Sequence, residues 1–126
     1  MDYRTEAPAL IRDFLVYHET IQGHSSRTID EYFLDLRSFF RYIKQKKDLI
    51  SKDVPFDSIM IDDVDLSLVH SITLSDVYDF MSFLSQDRSL TATSRARKVA
   101  TIRSFYKYLT NKAKLLRENP VQDLDS

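Results

Sequence analysis

Apolar residues recur every three or four positions along much of the chain, which is the spacing that places them on one face of an α-helix. The first predicted helix begins near Pro8, a residue suited to the first helical position, and ends at Gly23, which suits a C-terminal cap. Its apolar stripe is formed by Leu10, Ile11, Phe14, Leu15 and His18. The pattern therefore predicts an amphipathic helix at the N-terminal end.

A second predicted helix follows, with Ser25 or Ser26 as its N-cap and a stop at the basic run 44–47. Its apolar positions are Ile29, Phe33, Leu36, Phe40 and Ile43. A third helix is predicted to begin at Thr73, which pairs with Asp76 in a variant of the capping box. Its apolar positions are Val77, Phe80, Met81 and Leu84.

The fourth predicted helix is long and is capped by Thr91. Its apolar positions are Val99, Ile102, Phe105, Tyr106 and Leu109. Between the second and third helices, the segment 48–72 shows no sustained period and is predicted to be a long loop with room for one helical turn. We therefore predict an all-α fold, a compact four-helix bundle-like domain that occupies residues 1–126 as a single domain.

The composition supports this fold class and narrows the chemistry. The 126 residues include one glycine and three prolines, far fewer than folds made of strands and turns need. The absence of cysteine excludes disulfides, thiolate metal sites and a cysteine nucleophile. No apolar run approaches the roughly 18 residues of a membrane span. We therefore expect a soluble, cytoplasmic protein that makes no membrane contact.

The charges are strongly segregated although the formal net charge is only −1. Residues 48–87 carry nine acidic side chains and one basic one, whereas residues 88–117 carry nine basic side chains and no acidic one. On the fourth predicted helix, small residues and cations share the side opposite the apolar stripe. This face consists of Thr93, Arg97, Ala100, Ser104 and Lys107, with Arg95, Lys98 and Arg103 predicted to flank it. Such a face can approach a phosphate-lined groove closely, so the pattern indicates a helix that docks on DNA.

Three segments, 23–43, 72–84 and 90–121, together resemble a known family. A Ser and a Thr open a helix that then carries a Tyr, here Ser25, Thr28 and Tyr32. The last segment has a basic run, then the sequence IRSFY at 102–106 and a closing Asn-Pro at 119–120. These features resemble the N-terminal core-binding, SAM-like domain of tyrosine recombinases of the phage integrase and Xer type.

The resemblance implies a four-helix domain that forms one half of a clamp on double-stranded DNA at the core recombination half-site. The catalytic arginines, histidine and tyrosine of such proteins lie in a separate C-terminal domain, so this chain is expected not to be an enzyme by itself. Its implied partners are DNA, the catalytic domain of the same parent chain and other recombinase protomers. Two features depart from the family pattern: the acidic segment 48–72 is long, and the usual glycine after the last helix is replaced around residues 112–114.

The candidate DNA-binding residues form three groups, at the start of the second helix, along one flank of it, and on the fourth helix. They are Ser25, Ser26, Arg27 and Thr28; Arg37, Arg41 and Lys44, as secondary contacts; and Thr93, Arg95, Arg97, Lys98, Arg103 and Lys107. Each group has a plainer interpretation, namely helix capping for the first and a solvated helix face for the others. The alternative function is a protein-interaction module that uses the separate acidic and basic faces.

Other chemistry is not indicated by the sequence. Four of the seven tyrosines, Tyr32, Tyr42, Tyr106 and Tyr108, lie in predicted amphipathic helices, where the usual role is packing with the hydroxyl near water, so no catalytic tyrosine is predicted. His18, His24 and His70 are scattered without the spacing of metal ligands. The carboxylates around Asp62 and Asp63 are conceivable as a weak cation site, but a solvated loop is the plainer interpretation. Alternatively, this segment could repel DNA and so orient the domain. No metal site and no cofactor are therefore predicted.

Overall fold

The computed structural model describes residue 3 and residues 5–124, and this part of the chain contains five α-helices and no strand. The helices are α1 (Ala9–Val16), α2 (Ser26–Lys46), α3 (Leu66–His70), α4 (Leu74–Gln86) and α5 (Ala92–Asn111). The predicted all-α class is confirmed. Two compact units divide the chain, Met1–Asp65 and Leu66–Ser126, and each is described by itself. The single domain over residues 1–126, whose outermost residues lie outside the described part, stays a prediction.

The first unit begins with α1, which continues into one π-helical turn, Tyr17–Ile21. Pro8 is the N-cap of α1 and not its first helical residue, so the helix begins one residue after the predicted start. Gly23 has a φ of +71°, a left-handed conformation that costs glycine little. Ser25 then caps α2, since its Oγ accepts a hydrogen bond of 3.2 Å from the Thr28 N–H. The predicted boundary signals of both helices are thus present as local structure.

The core of the first unit is rich in aromatic side chains. The predicted stripe of α2 is buried, and Phe39, which the stripe did not include, is buried with it. His18 packs against rings from α1, from α2 and from the segment between them, with centroid distances of 4.6 Å to Phe14, 5.3 Å to Tyr32 and 5.2 Å to His24. Burial lowers the pKa of His18, and the neighbouring His24 lowers it further. The π-helical turn therefore places this imidazole in an aromatic cluster that disfavours its protonated form.

The predicted loop between α2 and α4 is more ordered than its sequence pattern indicates. A 3₁₀ turn at Phe56–Ser58 leads into residues 59–61, where Ile59 and Ile61 are buried and Met60 between them is exposed. The five-residue helix α3 also lies inside the predicted loop. The description of 48–72 as a loop is therefore correct for most of the segment, but α3 is an additional helix.

The second unit packs α3, α4 and α5 around a core that contains the predicted stripe of α5 and most of the predicted stripe of α4, whose Met81 is only half-buried. Thr73 and Asp76 form the complete capping box of α4, with hydrogen bonds of 3.2 Å and 3.0 Å. The Tyr106 hydroxyl donates a 2.6 Å hydrogen bond to the Val69 carbonyl. Burial raises the pKa of Tyr106 well above its ordinary value, and the nearby Asp76 carboxylate adds to the rise. This tyrosine is thus packed, as predicted for its helix position, but its hydroxyl is bonded inside the unit and not near water as predicted.

The chain leaves α5 through a left-handed turn at Lys114, whose φ is +58°. The Leu115 N–H donates a 2.9 Å hydrogen bond to the Leu109 carbonyl and so satisfies the helix end. This is the region where the related family usually has glycine. Lysine here adopts the conformation that glycine would take, at a cost of roughly 1–2 kcal/mol for an L-residue.

Replacing Lys114 by glycine should therefore stabilise the chain. The relief of left-handed strain exceeds the extra unfolded-state entropy of glycine, so we expect the free energy of unfolding to rise by about 0.5–1 kcal/mol, measured by urea denaturation. Lys112→Gly is the matched control, because Lys112 has a negative φ of −108° and gains nothing from glycine. Equal effects of the two substitutions would contradict the argument.

Candidate nucleic-acid interface

The small and basic face predicted on α5 is present on the surface of the second unit. Thr93, Arg97, Ala100 and Lys107 are exposed, and Ser104 is half-buried. From the first to the last of these residues the face extends over about 21 Å of helix, at 1.5 Å per residue. Small side chains therefore alternate with cations along an open helix face.

Arg103 and Lys107 are the cations of this face that are most available to an external partner. Both residues are exposed, and neither side chain forms a hydrogen bond or ion pair with another residue in the described part of the chain. They are separated by one helical turn, so their side chains lie side by side. The pair can therefore contact two neighbouring anionic groups without breaking any internal interaction.

Two of the predicted flanking cations lie on the other side of α5. Lys98 is only 9% exposed, and the Arg95 guanidinium donates a hydrogen bond to the Leu90 carbonyl. The helical spacing explains this, because Lys98 precedes the buried Ile102 and Phe105 by four and seven residues. Arg95 and Lys98 therefore do not flank the exposed face as predicted, whereas Arg103 does.

The predicted group at the start of α2 lies at the surface of the first unit. Ser25, Ser26 and Arg27 are exposed, and the Ser25 hydroxyl donates a 3.1 Å hydrogen bond to Thr28 Oγ1. The Arg27 side chain is 90% exposed and forms a 3.5 Å ion pair with Glu31 one turn later. The capping role of Ser25 is therefore present, and the free N–H groups of this helix end remain open to solvent.

The flank of α2 differs from the predicted surface contacts. The Arg37 guanidinium donates to Glu6 at 3.0 Å and lies 5.4 Å from the centre of the Phe33 ring. The side chains of Arg41 and Lys44 are only 10% and 7% exposed. Both are directed into the first unit, so the prediction that they contribute secondary contacts from an exposed flank is corrected.

Arg41 and Lys44 instead bind the backbone of the acidic segment. Arg41 Nε donates a 2.9 Å hydrogen bond to the Ile59 carbonyl, and Lys44 Nζ donates a 2.8 Å hydrogen bond to the Met60 carbonyl. Lys44 also pairs with Asp63, and Arg41 lies 4.0 Å from Asp57. We call these two cations and two carbonyls the carbonyl clamp. The clamp gives two consecutive backbone carbonyls their hydrogen-bond donors, which a neighbouring strand would supply in a sheet but which no strand supplies in the described part of the chain.

A cleft of about 480 Å³ lies beside the exposed face of α5 within the second unit. Its polar lining comes from α5 and from the segment that follows it. These residues include Arg103, Ser104, Lys107, Asn111, Asn119 and Gln122. The nine lining residues contain two cations and no carboxylate. The cleft is therefore suited to an anion, and it is lined by the amides of Asn119 and Gln122, which are not among the predicted contacts.

Other kinds of site find little support in the described part of the chain. His18 and His24 come within 5.2 Å of each other, closer than their scattered positions indicate, but no group of three or more potential metal ligands occurs among the described residues. In the same part, no helix is long and apolar enough to cross a membrane. The surfaces described above thus remain the strongest candidates.

Comparison with known proteins finds similarity to part of the tyrosine recombinases. A family model described as "Phage integrase, N-terminal SAM-like domain" matches residues 60–113. The chain is 46% identical over 119 residues to tyrosine recombinase XerC of Caldanaerobacter subterraneus subsp. tengcongensis, an alignment that covers 94% of the chain and 34% of that protein. It is 31% identical to tyrosine recombinase XerD of Listeria monocytogenes, covering 90% and 32%. It is also 31% identical to XerC of Myxococcus xanthus, covering 94% and 32%.

The chain spans about a third of the length of these relatives. No solved structure matches the chain significantly. The similarity therefore concerns one part of the related proteins, and the match to the family model falls mainly on the second unit, which carries α5.

Proposed function

We propose that this chain holds duplex DNA at a core recombination half-site, because it belongs to the tyrosine recombinase family as an N-terminal SAM-like domain of the phage integrase type. The observation that carries the proposal is the exposed face of α5, where Arg103 and Lys107 have no partner in the described part of the chain. Its small residues let the helix come close to a groove, and its cations reach the phosphates on either side.

Helix α2 supports the same function from the first unit. Its N-terminus presents unpaired N–H groups together with exposed Ser26 and Arg27. The partial positive charge of a helix N-terminus favours a phosphate, and a serine N-cap does not prevent such a contact. We therefore include Ser25, Ser26, Arg27 and Thr28 as phosphate contacts, whereas Arg41, Lys44 and Lys98 act inside the protein.

The wider role follows from the family. The parent protein is proposed to be a site-specific recombinase of the cytoplasm that acts in DNA integration and recombination, with its catalytic residues in another domain. This chain would then bind the DNA and fix the position of the protein along the duplex, as one core-binding domain of residues 1–126. Its partners would be duplex DNA, that catalytic domain and other protomers on the same site.

The proposal is tested by titrating the isotope-labelled chain with a short duplex at low and moderate salt and following backbone amide shifts. We expect shifts at residues 25–28 and along 97–107 that weaken as salt rises, because phosphate contacts release counterions. Heparin and an acidic peptide at matched ionic strength serve as controls. Non-specific dissociation constants of roughly 10⁻⁴ to 10⁻⁶ M are typical of such contacts at physiological salt.

The rival function, a module that binds acidic proteins, gives a different result. Such a module would respond equally to the duplex, to heparin and to the peptide, because charge alone would govern binding. A groove-binding helix prefers duplex geometry and gives larger shifts with DNA. Absence of shifts on α5 with the duplex, even at low salt, would contradict the proposed function.

A further inference from the structure

Asn119 holds a defined position in the cleft beside α5 because its side chain closes a turn. Asn119 Oδ1 accepts a 3.0 Å hydrogen bond from the Val121 N–H, and the Asn119 carbonyl accepts a 3.2 Å hydrogen bond from the Gln122 N–H. Asparagine side chains commonly form such turns with the backbone two residues later. The amide of Asn119 is therefore fixed in orientation by the local backbone.

The turn also determines the chemistry that Asn119 offers. A backbone N–H can only donate, so the side-chain atom that accepts it must be the carbonyl oxygen. The other end of the amide is then Nδ2, which carries two N–H donors. Neither of these donors forms a hydrogen bond with another residue in the described part of the chain. Asn119 thus brings a fixed donor with unused capacity to the cleft.

The segment around Asn119 is anchored to the second unit. Pro120 restricts the backbone of the residue before it to extended conformations. The side chains of Val121 and Leu124 are buried, and Leu124 N–H donates a 3.0 Å hydrogen bond to the Val121 carbonyl. Ordering this segment therefore requires no ligand, and Asn119 can act without a further loss of conformational entropy.

We propose that the cleft is a phosphodiester-binding pocket in which Arg103 and Lys107 bind two neighbouring backbone phosphates of the DNA and the Asn119 Nδ2 group donates to one of them. The inference rests on the proposed function and adds to it a residue outside the helices. The long side chains of Arg103 and Lys107 attract phosphate through their charge, and the fixed neutral donor of Asn119 determines where the phosphate binds. Asn119 therefore fixes the register of α5 on the duplex, and its contact falls at the C-terminal half of that helix.

The test compares two single substitutions in the 126-residue chain. Asn119→Asp keeps an oxygen that accepts from Val121, so the turn and the fold are retained, but it replaces the donor with a negative oxygen. Gln86→Glu introduces the same charge change at an exposed residue of the same unit that does not line the cleft. We expect Asn119→Asp to weaken duplex binding roughly 10-fold, measured by fluorescence anisotropy at low salt, and Gln86→Glu to weaken it less than about 3-fold.

The side-chain amide signals of Asn119 give a second, direct readout. We expect them to shift when the duplex is added, and a weaker shift with inorganic phosphate alone would support the same donor set. A shift with inorganic phosphate but none with the duplex would overturn the proposal, because the pocket would then take free phosphate. If the duplex shifts α5 but not the Asn119 amide, and the two variants bind alike, the inference fails while the proposed function stands. Absence of any duplex binding would remove both.

Discussion

Replacing Arg103 and Lys107 together by glutamine should weaken duplex binding by roughly 100-fold at about 50 mM salt, since two phosphate contacts and their released counterions are lost. The slope of log affinity against log salt should become less negative by nearly 2. Both side chains are exposed and unpaired in the described part of the chain, so the fold should be unaffected. Anisotropy titrations at several salt concentrations measure both quantities.

The control is a double substitution that removes the same charge elsewhere. Lys52→Gln with Arg88→Gln also lowers the net charge by two, at exposed residues outside α5. We expect this variant to lose less than about 5-fold in affinity, through long-range electrostatics that salt screens. Equal losses in the two double variants would show that binding depends on net charge alone, and the assignment of α5 as the docking helix would then be wrong.

Replacing Arg41 by alanine should lower the free energy of unfolding by about 3 kcal/mol. The substitution removes a hydrogen bond from a charged donor and leaves the buried Ile59 carbonyl without its partner. It also removes the packed alkyl part of a side chain that is only 10% exposed. Urea denaturation measures the loss, and the backbone amides of residues 59–61 should shift most in the folded variant.

Arg27→Ala provides the comparison on the same helix. Its side chain is 90% exposed and its ion pair with Glu31 is of the weak surface type, so we expect a loss below about 0.5 kcal/mol. A similarly small loss for Arg41→Ala would mean that the carbonyl clamp does not stabilise the first unit. The contrast therefore separates an arginine that binds buried backbone from one that is solvated.

The helices and their caps could be predicted from sequence because their signals are local. Ser25, Thr73 and Thr91 each cap a helix in the structure as the sequence predicts, since a cap depends on residues only three positions away. The apolar stripes of α2 and α5 are buried for the same reason, whereas Leu10, His18 and Met81 of the other two stripes are only half-buried. The exposed face of α5 also follows from helical spacing, and the same spacing places Lys98 on the buried side.

The destinations of the long cations could not be predicted in this way. Arg41 and Lys44 reach carbonyls that lie 18 and 16 residues further along the chain. Helical position shows only which side of α2 they occupy, and a flexible side chain on that side can meet either solvent or another segment. The ordered conformation of residues 59–61 could not be predicted for the same reason, because the hydrogen-bond donors to these residues come from a distant helix and not from a repeating local pattern.

The carbonyl clamp also governs where this part of the chain can change length during evolution. One residue inserted between Arg41 and Lys44 would rotate the following part of α2 by about 100° and separate the two donors from their consecutive acceptors. Residues 48–53 are almost all exposed and make no comparable long-range contact, so insertions and deletions there leave the clamp in place. We therefore expect homologous chains to differ in length between the end of α2 and Pro55 and to keep the spacing within the last two turns of the helix.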